Sequence, residues 1–316
     1  MTERQPGGAF WQGKSVVVTG GAGFLGKPTV RMLEQLGAEV RVPRSAEHDL
    51  TDPAACREAL SGAEVVLHLA ANVGGIGYNR RNPAPLARDN MAMGLNVFES
   101  CRELGVSKLV AACSVCAYPK FTPVPFKEDD LWSGYPEESN APYGLAKKML
   151  IVLSDAYRRQ YGVDSCVPVI ANLYGPDDNF DLEDSHVIAA MVNKYVTAVE
   201  EGQPEVVLWG TGEPSREFLY VDDAARALIL AAEHATDSEP FNVGTGIETK
   251  IRDLAEMVSA AAGFEGETVW DTSRPDGQPT RYLDVSRAAD SIGFRARTSL
   301  EDGLARTIES FRASVS

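Results

Sequence analysis

The sequence predicts an α/β fold: a Rossmann-type doubly wound parallel sheet with a smaller α/β C-terminal substrate-binding lobe. Short apolar runs alternate with amphipathic stretches through the first half of the chain, a glycine-rich loop follows the first of these runs, and 44% of the 316 residues are hydrophobic. Strand–helix–strand alternation of this length is typical of a parallel sheet with helices on both faces. A chain of this size can form one large domain with an additional lobe.

The individual elements follow in chain order from the apolar runs and the helix stops. Predicted strands cover residues 14–19, 38–43, 64–69, 108–113, 165–170 and 206–209, and predicted helices cover residues 28–36, 86–104, 143–161, 187–199 and 222–234. Gly105 and Gly162 are expected to end two long helices. We expect a flexible N-terminal tail (1–13), a Rossmann domain (14–175) and a mainly substrate-binding lobe (176–316) that is interleaved with the first domain.

The composition limits the possible partners. The net charge is −15 and the isoelectric point is near 4.8, and such an acidic surface repels nucleic-acid phosphates. No apolar stretch is long enough for a membrane span, and the N-terminal residues lack an apolar signal core. Five scattered cysteines are typical of a reducing compartment. We therefore expect a cytoplasmic protein with no nucleic-acid or membrane partner.

A glycine-rich loop joins the first predicted strand to the first predicted helix. Gly20, Gly23 and Gly26 have the spacing G-x-x-G-x-x-G. Glycines at these positions let the backbone turn tightly and approach a pyrophosphate at the helix N-terminus. The tip of the second strand carries Arg44 and no acid, whereas an NAD site usually has Asp or Glu there. The sequence thus predicts a dinucleotide site that favours NADP(H), with NAD(H) as the alternative.

Tyr143 and Lys147 begin the long helix that follows a strand ending near Ser114. A spacing of four places both side chains on one helical face. We expect the ammonium to lower the pKa of the phenol, so that Tyr143 exchanges a proton at neutral pH, and Ser114 to hydrogen-bond a substrate oxygen. Cys113 and Cys116 form a C-x-x-C pair, but no second Cys/His pair completes a zinc site. With the glycine loop, these residues indicate a nicotinamide-dependent enzyme.

Further motifs extend this pattern along the chain. They are residues 68–71 (HLAA), 73–76 (VGGI), 114–119 (SVCAYP), 172–176 (NLYGP), 178–180 (DNF), 185–188 (SHVI), 209–210 (WG), 216–218 (REF), 221–223 (VDD) and 275–277 (PDG). From about residue 14 to about residue 308, the chain therefore resembles the extended short-chain dehydrogenases/reductases. More narrowly, it resembles the GDP-L-fucose synthases, which are GDP-4-keto-6-deoxymannose 3,5-epimerase/4-reductases. The S-x-C-x-Y-P and S-H-V-I segments are the most specific of the matches.

The resemblance implies roles for individual residues. Cys116 and His186 would move protons at C3 and C5 of a 4-keto sugar, and Ser114, Tyr143 and Lys147 would serve the reduction at C4. The implied cofactor contacts are Gly20, Gly23, Phe24, Leu25, Gly26, Arg44, Asp49, Leu50, Leu69, Ala70, Ala71, Tyr143 and Lys147. The implied substrate contacts are Asn172, Lys194, Trp209, Arg216 and Arg281.

The resemblance also implies a nucleotide-sugar substrate, with a GDP-sugar favoured, and a homodimer formed through the helices at 86–104 and 143–161. Lys194, Arg281 and Asp181 replace the residues usual in the family, which leaves the exact nucleotide and sugar open. Two alternatives remain: an NDP-sugar 3,5- or 4-epimerase with tightly bound NAD(P) and no net reduction, and a non-catalytic nucleotide-sensing protein of this fold. A 4,6-dehydratase is excluded, since Val115 and Cys116 stand where that reaction needs acids.

Overall fold

The computed structural model describes residues 3–182, 185–274 and 276–315. The helices are α1 (Gly8–Trp11), α2 (Gly26–Gln35), α3 (Pro53–Leu60), α4 (Ile76–Arg81), α5 (Pro83–Leu104), α6 (Ala141–Tyr161), α7 (Val187–Glu201), α8 (Val221–His234), α9 (Ile251–Ala262), α10 (Ser286–Ser291) and α11 (Leu300–Val315). The strands are β1 (Ser15–Thr19), β2 (Glu39–Arg41), β3 (Val65–His68), β4 (Lys108–Ala111), β5 (Cys113–Ser114), β6 (Ser165–Cys166), β7 (Pro168–Ile170), β8 (Asn172–Tyr174), β9 (Glu205–Trp209), β10 (Ser215–Arg216), β11 (Phe218–Tyr220), β12 (Phe241–Val243), β13 (Thr249–Lys250), β14 (Glu267–Asp271) and β15 (Thr280–Arg281). Within the described ranges, no helix combines the length and the apolar character needed to cross a membrane.

A five-stranded parallel sheet, in the order β2-β1-β3-β4-β6, forms the centre of the fold. α2 packs against α8, whereas α3 and α6 pack against α5, so that helices cover both faces. The predicted doubly wound α/β fold is confirmed. Because β2 and β3 lie on opposite sides of β1, the chain reverses its direction of strand addition there. Ligands of such folds bind at this reversal, beyond the carboxyl ends of the strands.

Two predicted strands are each divided between two sheets. Residues 108–113 form β4 in the central sheet and β5 in a second parallel sheet of order β12-β7-β5, and residues 165–170 are divided in the same way into β6 and β7. Val110 pairs with Cys166 before the break, and Cys113 pairs with Val169 after it. The apolar run correctly predicts extended chain. It does not show where two strands change partners, because that depends on sheet twist and on β12.

The long helices α5 and α6 start and stop at local signals. Pro83 and Pro142 lie in their first turns, where a missing N–H costs nothing. Gly105 (φ 68°) and Gly162 (φ 72°) adopt the left-handed conformation directly after the last helical residue, as the sequence predicts. Since α6 starts at residue 141, Tyr143 lies in its first turn, close to the end of β5.

The C-terminal half contributes to two clusters of buried hydrophobic residues. α7, α9 and α11 enclose one cluster with β9 and β14, which pair in parallel; its fully buried members include Val192, Tyr195 and Leu254. α8 and β12 instead pack into the cluster beneath the central sheet, through residues such as Leu228 and Val243. The division near residue 175 stays a prediction.

Residues 3–13, which belong to the predicted N-terminal tail, contact distant parts of the chain. Trp11 is fully buried, and its Nε1 donates a hydrogen bond to the Glu233 carboxylate at 2.5 Å. The Gly7 N–H donates to the same carboxylate at 3.0 Å, and Glu3 forms an ion pair with Arg297 at 2.5 Å. These contacts dock part of the segment on the folded chain, and the flexibility expected of residues 1–13 stays a prediction. Their partners lie more than 200 residues away in the sequence, so local composition does not reveal the docking.

Candidate active site

One large cleft lies beyond the carboxyl ends of the central strands. Its volume is about 1540 Å³. The first half of the chain lines it with the glycine loop, the residues after β2 and β3, the end of β5 and the start of α6. The C-terminal half lines it with residues 185–188 and with residues from the 209–216 and 276–281 segments. The fold therefore brings the predicted dinucleotide and substrate segments to one cleft.

The glycine loop is packed too tightly for side chains. A Cβ on Gly26 would lie 2.1 Å from the Gly20 carbonyl oxygen, and a Cβ on Gly20 would lie 2.7 Å from the Ala70 nitrogen. The Gly23 N–H closes the turn by donating to the Gly20 carbonyl at 2.9 Å. A loop of this shape lets a pyrophosphate approach the backbone at the start of α2. The residues present thus fit a dinucleotide.

The turn after β2 places a positively charged side chain at the cleft. Arg44 is exposed and lines the cleft. Asp49, five residues after Arg44, accepts hydrogen bonds from the N–H (2.9 Å) and the hydroxyl (2.8 Å) of Thr51, which lower its pKa. Leu50 is buried beside it. Oδ1 of Asp49 is therefore engaged within its own turn, and Arg44 is the charge at the strand tip that fits a 2′-phosphate.

Ser114, Cys116 and Tyr143 meet where β5 ends. The Ser114 hydroxyl accepts a hydrogen bond from the Cys116 N–H at 3.2 Å, and its influence on the Tyr143 pKa, a lowering, is smaller than that of burial. Cys116 lies in a single 3-10 turn, Val115–Ala117, and its thiol lines the cleft. Burial raises the pKa of Tyr143, and negative charge at Cys116 would raise it further. The phenol is therefore protonated at neutral pH and able to donate.

The lowered Tyr143 pKa expected from the sequence is wrong. Lys147 lies over the tyrosine ring, with Nζ 5.9 Å from the ring centroid, and burial outweighs any benefit of its charge. Lys147 is itself buried, which lowers its pKa to about 8. His68 lies nearby and is held by a 2.8 Å hydrogen bond between Nδ1 and the Thr19 hydroxyl. Burial, aided by the charge of Lys147, lowers the pKa of His68 to about 3, so this histidine is neutral.

His186 reaches the same cleft from the C-terminal half. It precedes the first residue of α7, and its carbonyl accepts a hydrogen bond from the Ala190 N–H at 3.0 Å. Desolvation by the surrounding protein lowers the pKa of the His186 imidazole, although the residue as a whole is exposed to solvent. The fold thus places a neutral imidazole and the thiol of Cys116 in one cleft, 70 residues apart in the sequence.

Two arginines lie side by side at the C-terminal end of the cleft. Arg216 in β10 pairs in register with Arg281 in β15. Burial and the charge of Arg281 lower the pKa of Arg216 to about 10. The Arg281 guanidinium also donates to the Val115 carbonyl at 2.8 Å, next to Cys116. Two adjacent, partly desolvated guanidinium groups form a site for a diphosphate.

The remaining predicted substrate residues lie around these arginines. Trp209 is 61% exposed and lines the cleft, as does Asn172, whose Nδ2 donates to the Glu217 carbonyl at 2.9 Å. Lys194 does not line the cleft: its ammonium lies over the Trp209 ring, 5.6 Å from the centroid, and donates to the Val207 carbonyl. Pro275 lies outside the described residues. Every other predicted catalytic, cofactor or substrate residue lines the cleft.

Two cleft amides, Asn79 and Asn140, carry no sequence prediction. Asn79 Nδ2 donates to Asn140 Oδ1 at 2.9 Å. Asn140 precedes Tyr143 by three residues, and that spacing on one helix was a usable signal. Asn79 lies on α4, and no spacing along the chain indicates that α4 approaches α6.

Comparison with known proteins places this cleft in a family. Residues 16–244 match the NAD dependent epimerase/dehydratase family. The chain belongs to that family. This membership confirms the predicted recognition, and it makes the protein an NAD(P)-dependent enzyme of the epimerase/reductase type.

Two relatives and one solved structure show which members of the family this chain is similar to. It is 40% identical to a probable GDP-L-fucose synthase 1 of Oryza sativa subsp. japonica, over 97% of this chain and 95% of that protein. It is 38% identical to GDP-L-fucose synthase of Escherichia coli K12, over 94% and 96%. It is also similar to the crystal structure of a GDP-L-fucose synthetase from Naegleria fowleri bound to NADP, with a TM-score of 0.88, 29% identity, and coverage of 96% and 95%.

Proposed function

We propose that this enzyme converts GDP-4-keto-6-deoxymannose to GDP-L-fucose by 3,5-epimerisation and NADPH-dependent 4-reduction. The observation that carries the proposal is the meeting of two groups of residues in one cleft. Ser114, Tyr143 and Lys147 suit reduction of a carbonyl, and Cys116 and His186 suit proton exchange at its neighbouring carbons. A reductase without epimerisation, or a nucleotide sensor, would have no use for the second group.

The epimerisation half follows from the acidity of C–H bonds next to a carbonyl. Inverting C3 and C5 requires one group to remove a proton and another to return one from the opposite face. His186 is neutral at physiological pH because its pKa is lowered, so it has a lone pair to accept a proton. Cys116 has an S–H to donate. Ser114 and Tyr143 would stabilise the charge that develops on O4.

The reduction half uses the same hydroxyls. Bound NADPH supplies the hydride, and the glycine loop and Lys147 would hold it against the sugar. Tyr143 would donate its proton to O4, and its raised pKa keeps the phenol protonated until negative charge develops there. Lys147 makes none of the hydrogen bonds found among the described residues, so its ammonium is available to the nicotinamide ribose. We assign NADPH rather than NADH because Arg44, without an acid at the strand tip, suits a 2′-phosphate.

The nucleotide would lie toward the C-terminal half. Arg216 and Arg281 would bind the diphosphate with their paired guanidinium groups. Trp209 would offer its exposed ring to the nucleoside. Lys194, which lies behind that ring, would act by holding Trp209 rather than by contacting the phosphates.

The decisive experiment supplies GDP-4-keto-6-deoxymannose with NADPH or NADH in deuterated water and identifies the product by NMR. We expect stoichiometric NADPH oxidation, GDP-L-fucose as product, and deuterium at C3 and C5. Cys116→Ser should lower deuterium entry by about 100-fold or more, the range of general acid–base contributions. Cys56→Ala removes a buried thiol that does not line the cleft and should leave exchange unchanged.

Other results of the same experiment would support one of the alternative functions. Epimerised product without net NADPH consumption would identify a 3,5-epimerase, and a product inverted only at C4 would identify a 4-epimerase. Unchanged isotope exchange in Cys116→Ser would remove the thiol from the mechanism. Tight nucleotide binding without turnover of any 4-keto sugar would favour a sensor.

We also propose a homodimer formed through α5 and α6. Leu95 on α5 and Val152 on α6 are exposed hydrophobic residues on these adjacent helices. Contact between two such faces would bury them in a four-helix arrangement. Sedimentation equilibrium tests this: a monomer at micromolar concentration would contradict it.

A further inference from the structure

α4 and the residue that directly precedes α6 meet in the cleft through two amide side chains. Asn79 on α4 is only 5% exposed, and its Nδ2 donates to the Oδ1 of Asn140 at 2.9 Å. The Asn79 Oδ1 has no hydrogen-bond partner among the described residues. An unpartnered buried amide oxygen is destabilising and uncommon in folded proteins. Both residues line the cleft, so a ligand with an O–H or N–H group would supply the missing donor.

Surrounding contacts fix the position of Asn79. The Tyr78 hydroxyl donates to Asn72 Oδ1 at 2.8 Å, and Asn72 Nδ2 donates to Asp89 at 3.0 Å. Asn82 Nδ2 donates to the Tyr78 carbonyl at 3.0 Å. These bonds tie α4 to the segment after β3 and to α5. Asn79 is therefore held in place before any ligand arrives.

The amide pair offers one acceptor and one donor. Asn79 keeps a free Oδ1, and Asn140 keeps a free Nδ2, which makes none of the described hydrogen bonds. Exchanging oxygen and nitrogen in both amides leaves the same combination. A hydroxyl group both donates and accepts, so it complements the pair. A carboxylate or a phosphate has no donor and would leave the free oxygen of the pair unmatched.

The place of Asn140 on α6 indicates which hydroxyl is bound. Asn140 directly precedes α6 in a helical backbone conformation and lies three residues before Tyr143, so the two residues are neighbours at the start of the helix. In the proposed reaction Tyr143 reaches O4, and Asn140 then reaches an atom next to C4. Of the two neighbours, C3 carries a hydroxyl and C5 carries the C6 methyl group. We infer that Asn79 and Asn140 bind the C3 hydroxyl of the 4-keto sugar and select 3-hydroxy over 3-deoxy substrates, an inference that rests on the proposed function.

The test compares two substrates in three variants. The substrates are GDP-4-keto-6-deoxymannose and its 3-deoxy analogue, and the readout is kcat/KM for reduction, measured by NADPH oxidation. The wild type should prefer the 3-hydroxy substrate by about tenfold to a hundredfold, the effect of leaving a buried polar group unpaired. Asn79→Leu, of similar volume, should lower kcat/KM for the 3-hydroxy substrate by the same factor and change it for the 3-deoxy analogue by less than about twofold. Asn140→Ala should behave in the same way.

Asn193→Ala is the control, because Asn193 lies on α7, donates its Nδ2 to the Phe180 carbonyl at 2.7 Å and does not line the cleft. It should affect both substrates equally, and NADPH titration confirms that each variant is folded. An equal loss on both substrates in Asn79→Leu and Asn140→Ala, or an unchanged preference for the 3-hydroxy sugar, would overturn the inference while leaving the proposed function intact. If the wild type turns over neither substrate, the proposed function is wrong, and the assignment of this hydroxyl is wrong with it.

Discussion

Gly26→Ala should weaken NADPH binding by displacing the loop that faces the pyrophosphate. The added Cβ would lie 2.1 Å from the Gly20 carbonyl oxygen and 2.5 Å from the Gly21 Cα. Both neighbours are backbone atoms, so no side-chain rotation relieves the overlap. Reaching ordinary van der Waals distance requires the loop to move by about 1 Å.

A movement of this size is enough to break hydrogen bonds. The Gly23 N–H donates to the Gly20 carbonyl at 2.9 Å, and the Lys27 N–H donates to the Gly23 carbonyl at 3.0 Å. Lengthening such a contact by about 1 Å abolishes it. A hydrogen bond to a charged group contributes about 1.5–3 kcal/mol. The loss of one pyrophosphate contact therefore weakens binding by roughly 10- to 100-fold.

The assay is a fluorescence titration with NADPH, alongside urea denaturation to confirm folding. Gly94→Ala is the matched control, since Gly94 is also buried in a helix but its added Cβ would meet only the flexible end of Leu150, at 2.7 Å. Its Kd should stay within about twofold of wild type, because a side chain can yield where a backbone cannot. A similarly small change in Gly26→Ala would refute the inference that this loop holds the cofactor.

Two further predictions follow from burial. Because burial lowers the pKa of Lys147 to about 8, the ammonium is lost as pH rises through that value, and kcat/KM for NADPH should fall above it. Lys147→Arg stays charged, so its kcat/KM should show no such fall with pH, even if its activity is lower. A wild-type profile that is flat to about pH 10 would contradict the role given to the Lys147 ammonium. Trp11→Phe removes the indole donor from the buried Glu233 carboxylate and should lower the free energy of unfolding in urea by about 1–3 kcal/mol. The exposed Trp132→Phe should change it by less than about 0.5 kcal/mol, and equal effects would mean that residues 3–13 add no stability.

Features that depend only on residues close together in the sequence could be predicted from it. The glycine loop depends on the absence of Cβ atoms at three closely spaced positions, since a Cβ added at Gly26 would lie 2.1 Å from the Gly20 carbonyl oxygen. Gly105 and Gly162 end helices because each favours a left-handed backbone. The Tyr143–Lys147 pair could be predicted because four residues span about one helical turn.

Features that depend on distant partners were predicted less well. Trp11 is buried in the hydrophobic core, where Glu233 accepts its N–H, and the sequence of residues 1–13 does not indicate that partner. Lys194 lies behind Trp209 rather than in the cleft, because of the way in which α7 packs against β9. The pKa of Tyr143 depends on its burial, which outweighs the charge four residues away.

The amino-acid order by itself determined the α/β class, the family and a set of site residues of which all but Lys194 line the cleft, because hydrophobic period, glycine placement and reactive side chains act over a few neighbouring positions. Only the tertiary structure decided that Asn79 meets Asn140, that Arg216 and Arg281 lie side by side, and that the phenol of Tyr143 stays protonated. These properties arise from desolvation and from contacts between segments far apart in the chain, and both exist only once the chain has folded.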